Sequence, residues 1–215
     1  MSDKSLSQEK INNLILLYKK GLIKEALVEA EQLIENNTNS FFLHNIYGMI
    51  NMNLKKWNKS IESFSKAIEI KQDYAEAHNN LGVALNNLAH LEKAIESYSN
   101  AIKFKPDYAN AHNNLGSVFN DLGRWEEALE SYSKALEYNP ENNEAYENLI
   151  KLLTFYRPKK ANSNLIVIAN QELQNIKYNY NSNKKITDNE ISNFFKKCNK
   201  IILKNKNKIN FNRSQ

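Results

Sequence analysis

The chain has 215 residues, one cysteine and a formal net charge of +5. A single cysteine excludes an internal disulfide framework and points to a reducing, cytoplasmic setting. The opening MSDKSLSQEK has no apolar core to read as a secretory signal, and the longest strongly apolar run, 165–169, is too short to span a membrane.

From the N-terminus, residues 7–40 form a first unit, SQEKINNLILLYKKGLIKEALVEAEQLIENNTNS. It shares Leu17, Gly21, Ala26 and Ala30 with a repeating pattern, but has Leu14 where later units have glycine. Terminal repeats are often atypical, because one side of them faces water. Three units of 34 residues follow without insertion or deletion, at 41–74, 75–108 and 109–142. Their eighth position is Gly48, Gly82 and Gly116, and their twenty-fourth is Phe64, Tyr98 and Tyr132. The seventeenth is Trp57, Leu91 and Trp125, the twentieth Ser60, Ala94 and Ala128, and the twenty-seventh Ala67, Ala101 and Ala135. Apolar spacing of three and four predicts two amphipathic helices per unit. The small residues mark where one helix must approach another closely. At the thirty-second position, Pro106 and Pro140 (Gln72 in the earlier unit) are expected to end the second helix.

A partial fifth unit covers 143–156 and departs from the pattern at Arg157-Pro158. Residues 157–177 are expected to cap the array, with a helix over roughly 163–177, and 178–185 read as a polar linker. Thr187 and Glu190 have capping-box spacing, opening a basic amphipathic helix within 186–215. That helix places Ile191, Phe194, Phe195, Cys198, Ile201 and Ile202 on one face. Either the array or a downstream region of a longer protein is expected to cover it. Charge is uneven: 1–142 carry 15 basic and 19 acidic residues, whereas 143–215 carry 14 and 5. A basic tail can contact nucleic acid or an anionic surface. No aromatic interleaves 204–208 for base stacking, and the chain is rich in asparagine (36 residues), so nucleic acid is not the expected partner.

Period and landmarks together resemble the tetratricopeptide repeat family. The resemblance covers most of 7–156 and implies an all-α fold: a right-handed α-solenoid of tandem helix-turn-helix repeats with a C-terminal helical extension. It implies a protein- or peptide-binding scaffold rather than an enzyme, with no catalytic residues and no cofactor. If the family geometry holds, positions 2, 5, 6, 9, 12 and 13 of the first helices line a concave groove. Position 6 is Asn12, Ile46, Asn80, Asn114 and Asn148, and position 5 adds Asn45, Asn79 and Asn113. Asn86, Asn87, Asn120 and Asp121 extend the polar lining. An asparagine amide both donates and accepts, so it can pair with the N–H and C=O of an extended peptide. The repeats look most like those preceding the catalytic domain of protein O-linked N-acetylglucosamine transferases, where such a ladder grips the substrate backbone. Asn80-Leu-Gly82 and Asn114-Leu-Gly116 keep that local motif, while Asn12 and Asn148 match more weakly.

Chaperone-binding members of the family hold a terminal carboxylate with Lys and Arg. Residues 42–54, 76–88 and 110–122 contain neither, so a carboxylate clamp for a chaperone tail is not expected. His44, His78 and His112 recur at position 4. Packed helices lie about 8–10 Å apart, too far for three imidazoles to share one metal, and packing is the expected role. Cys198 sits in an apolar context and is expected to pack rather than react. Two other function classes stand beside the scaffold. One is the substrate-recognition arm of a larger glycosyltransferase-like enzyme whose catalytic domain is absent; the other is a basic-tail adaptor.

Overall fold

The computed structural model describes residues 2–155, all of them in helices or the turns between helices. The helices are α1 (Ser2–Lys19), α2 (Ile23–Asn36), α3 (Phe41–Asn53), α4 (Trp57–Ile70), α5 (Ala75–Asn87), α6 (Leu91–Phe104), α7 (Ala109–Asp121), α8 (Trp125–Tyr138) and α9 (Asn143–Phe155). The expected segments at 157–177, 178–185 and 186–215, Cys198 included, lie outside the described residues.

The chain divides into two compact units, one ending at Pro106 and one starting at Asp107. In the first, α1 packs on α2, α2 on α3, α3 on α4, α4 on α5 and α5 on α6. In the second, α7 packs on α8, and α9 packs on both. Each hairpin is a 13-residue helix followed by a 14-residue helix in the three regular repeats.

One contact closes each regular hairpin. A Cβ placed on Gly48 would fall 2.5 Å from the Phe64 ring, on Gly82 2.6 Å from the Tyr98 ring, and on Gly116 2.7 Å from the Tyr132 ring. No side chain fits there, so the glycine is required by the aromatic ring rather than by its own backbone. The first repeat reverses the sizes. Leu14 holds the glycine position and Ala30 the aromatic one, both fully buried in the same apolar cluster. Its departure from the pattern is therefore a paired exchange of volume.

The turns between paired helices share one design. Residues 21, 55, 89 and 123 sit in the left-handed region, with φ of 74, 58, 57 and 69°. In each turn the next residue's N–H bonds back to the carbonyl five residues earlier, as in Leu22 to Leu17 and His90 to Leu85, both at 3.0 Å. These are Schellman ends, for which glycine is best suited. Gly21 and Gly123 supply it, whereas Lys55 and Ala89 strain a backbone that L side chains rarely adopt. Ala89→Gly is expected to raise stability by about 0.5–1 kcal/mol, read as a higher urea midpoint at unchanged slope.

Proline is not required to end a second helix. Helix α4 has Gln72 in place of proline, yet stops at Ile70, in register with Phe104 of α6 and Tyr138 of α8. Pro106 and Pro140 stand two residues past the ends of α6 and α8, where they prevent continuation.

The core aromatics also give the fold a pH limit. Burial, the largest effect, pushes the Tyr132 phenol up to about 12, with Asp121 and Glu144 adding to it and the Ser117 bond opposing it, and burial pushes Tyr98 higher still. An unfolded tyrosine ionises near pH 10. Above that the unfolded chain releases phenolic protons that the folded chain keeps, so stability falls as pH rises from about 10 towards 12. Urea midpoints should be flat up to about pH 10 and drop beyond it, with a shallower drop in Tyr132→Phe.

Candidate functional site

The first helix of each repeat has a closed side and an open side. Positions 3 and 8 are buried, as Leu43, Ala77, Ala111 and the three glycines. Positions 9 and 12 are half-buried or exposed, as Met49, Val83, Ser117, Met52, Asn86 and Asn120. Asn80, Asn114 and Asn148 at position 6 are half-buried on this open side, and Asn12 is exposed.

The asparagines at position 5 do not share that exposure. Asn45, Asn79 and Asn113 are 5%, 7% and 2% exposed. They stand behind position 6 rather than on the surface. Asn80 Nδ2 donates to Asn45 Oδ1 of the preceding repeat at 3.1 Å, and Asn148 Nδ2 donates to Asn113 Oδ1 at 3.2 Å. Asn79 Nδ2 donates more weakly to Asn80 Oδ1, at 3.4 Å. Asn45 is itself anchored, since its Nδ2 donates to Tyr74 Oη at 3.3 Å and lies 3.7 Å from Met49 Sδ. Burial pushes the Tyr74 phenol up, the Glu76 charge adds to that, and the Asn45 bond opposes it. Sequence reasoning missed this pairing of positions 5 and 6, and missed Tyr74 altogether. An Asn at both positions of successive repeats was the available signal.

The remaining residues of the expected lining divide. Ile46 is buried in the core of the first repeats, so it interrupts the row of amides. Asn12 accepts from Gln8 Nε2 at 3.2 Å on its own helix. Asn87 Nδ2 donates to the Val83 carbonyl of its own helix at 2.9 Å. Asn120 and Asp121 are exposed.

The position-4 histidines are structural fasteners. Nε2 of His44 lies 2.9 Å from the Thr38 carbonyl and that of His78 2.9 Å from the Gln72 carbonyl, so both nitrogens must carry the proton. Each ties the loop before a repeat to its first helix. His78 stacks on Phe104 at 5.4 Å and His112 on Tyr138 at 5.5 Å. No group of His, Cys, Asp and Glu suited to a metal exists among the described residues.

A separate cleft of about 730 Å³ opens between α2 and α4, with Ile34, His44, Tyr47, Lys59, Glu62 and Lys66 among its walls. Burial pushes the Tyr47 phenol up, and its Oη donates to Glu31 at 3.2 Å. Lys66 is bonded to Glu69 at 2.9 Å. The cleft's opposite charges sit side by side and favour no one class of ligand.

Family models described as "Tetratricopeptide repeat" and "TPR repeat" match residues 109–142, and 48–88 with 90–120, respectively. Residues 48–142 are a run of tetratricopeptide repeats. Solved TPR-type structures agree with the fold. The chain is similar to Pseudomonas aeruginosa pilF, with a TM-score of 0.72, 16% identity, and coverage of 89% of this chain and 82% of that one. It is similar to YrrB, described as a TPR protein with an unusual peptide-binding site, at a TM-score of 0.59 and 22% identity over 67% and 75% of the two chains. It is also similar to the first TPR of Spaghetti (RPAP3), bound to the HSP90 peptide SRMEEVD, at a TM-score of 0.52 and 22% identity over 54% and 91%. No curated protein matches the sequence. The all-helical TPR architecture expected from the period is thus established, while a special likeness to glycosyltransferase repeats is not. No described helix is long and apolar enough to cross a membrane.

Proposed function

We propose that this chain is a protein-binding scaffold in which each unit holds extended peptide against the open side of its own first helices. The observation that carries the reading is the state of the position-6 amides. Asn80 and Asn148 are half-buried, held in place by hydrogen bonds, and retain donor and acceptor capacity toward the open side. Such groups recognise backbone rather than side chains, so binding would tolerate many sequences. Similar TPR structures whose descriptions mention peptide binding support the class of ligand. An acidic chaperone tail is not the favoured ligand. The first helices of the central repeats carry no Lys or Arg across 42–54, 76–88 and 110–122, so nothing on them could clamp its carboxylate.

The test uses short unstructured peptides selected from a random displayed library on the full chain. Asn80→Ala with Asn148→Ala should weaken binding by about 10- to 100-fold, since each lost amide removes a hydrogen bond to backbone. Unchanged affinity with intact helicity would rule the face out.

A second reading, the recognition arm of a larger transferase, is favoured only by the Asn80-Leu-Gly82 and Asn114-Leu-Gly116 motifs. It requires that the polypeptide made in cells be far larger than 24.9 kDa. Detection of the product by antibody at that mass alone would remove it.

A further inference from the structure

We propose that the buried asparagines Asn45 and Asn113 are positioning residues, which fix the amides of Asn80 and Asn148 so that a bound strand is read in one chain direction. The inference rests on the peptide-binding reading above and goes beyond it.

The argument begins with an isolated asparagine on a helix. Its amide can turn over, exchanging oxygen and nitrogen at little cost, and would then grip a strand in either direction. Asn80 is not in that situation. Asn45 has committed its nitrogen to Tyr74 Oη at 3.3 Å and to Met49 Sδ at 3.7 Å. The Tyr74 hydroxyl can accept or donate, but the Met49 sulfur can only accept, so the nitrogen faces that side and what Asn45 turns toward Asn80 is an oxygen, which can only accept. Asn80 must answer with Nδ2, and does so at 3.1 Å. On the other side Asn79 presents an N–H to Asn80 Oδ1 at 3.4 Å, which the reversed amide could not accept. The second unit repeats the sense, with Asn148 Nδ2 on Asn113 Oδ1 at 3.2 Å. Position 5 is the buried partner in both, at 5% and 2% exposure, so water does not compete for it.

The orientation has a consequence for a ligand. Asn80 keeps one N–H and one oxygen lone pair for the open side, with the N–H nearer α3. In an extended strand the N–H and C=O of one residue point to the same edge, the N–H lying before the C=O along the chain. The strand's C=O must meet Nδ2 and its N–H must meet Oδ1. Its C-terminal end is then directed toward α3, and at Asn148 toward α7. A reversed strand would set donor against donor and acceptor against acceptor.

The experiment takes a library-selected peptide carrying a nitroxide at one end or the other, bound to the full isotope-labelled chain. The C-terminal label should broaden amide signals of α3 more than the N-terminal label does. Asn45→Ala should weaken binding by about tenfold and erase that asymmetry. Asn45→Asp keeps an accepting oxygen and should preserve the asymmetry, which loss of packing alone would not predict. Asn113→Ala, read against α7, repeats the test in the other unit should a change at Asn45 disturb folding. Reversed asymmetry in the unaltered chain overturns the inference, as does an Asn45→Ala protein that keeps both affinity and direction. If Asn80→Ala weakens binding but Asn45→Ala does not, the positioning role falls alone. If neither matters, the binding face falls with it.

Discussion

Gly82→Leu should lower stability by about 3 kcal/mol or more, the upper end of the cost of overpacking a core. Even a methyl group there would lie 2.6 Å from the Tyr98 ring, which is 1% exposed and has no room to retreat. For a chain of this length such a loss should appear as a melting temperature about 10 °C lower. The stronger form of the expectation comes from the first repeat, where Leu14 and Ala30 occupy the same two places and are both fully buried. Gly82→Leu combined with Tyr98→Ala recreates that arrangement in the third. Tyr98→Ala alone should cost about 3–5 kcal/mol by opening a cavity. The double variant should be more stable than the sum of the two losses by about 2 kcal/mol or more, a coupling that residues in contact show and distant ones do not. Additive losses would mean that the glycine and the aromatic ring are not spatial alternatives.

Asn51→Leu should act in the opposite direction. Position 11 is Leu17, Leu85 and Phe119 in the other repeats, but here an asparagine is 0% exposed. Its Nδ2 donates to the Tyr47 carbonyl at 2.9 Å, while Oδ1 has no protein partner. A buried oxygen without a hydrogen bond costs about 1–3 kcal/mol, and leucine has nearly the same shape without the polar atoms. Replacement should therefore raise stability by about 1–2 kcal/mol, after allowance for the lost Nδ2 bond. A lower urea midpoint for Asn51→Leu would show that the oxygen is satisfied by bound water and that the polar residue belongs there.

Much of this architecture is legible in the sequence because it repeats. A glycine that recurs at one offset and an aromatic ring that recurs sixteen residues later mark the closing contact before any coordinates are seen. Gly21 and Gly123 announce the left-handed turn, although Lys55 and Ala89 hide it in the other two copies. The Leu14 and Ala30 exchange was legible only if both positions were read together; taken singly, Leu14 looks like degeneracy. Proline marks the helix end in two copies, whereas α4 ends in register without one. The candidate site was harder to read. Position within the repeat placed Asn80 and Asn45 side by side as equivalent groove residues. Their difference, one half-buried and one nearly sealed, depends on which way each side chain leaves its helix and on a partner 35 residues away. Period alone does not carry that information.

The central claim is that backbone recognition takes place at the position-6 amides. Its most direct measurement is a titration of a library-selected peptide into the isotope-labelled full chain, following the backbone amide signals and the side-chain amide signals of asparagine. The account predicts that Asn80 and Asn148 shift most, while the signals of Lys59, Glu62 and Lys66 around the α2–α4 cleft stay in place. Saturable shifts at that cleft, with Asn80 and Asn148 unmoved, would contradict it.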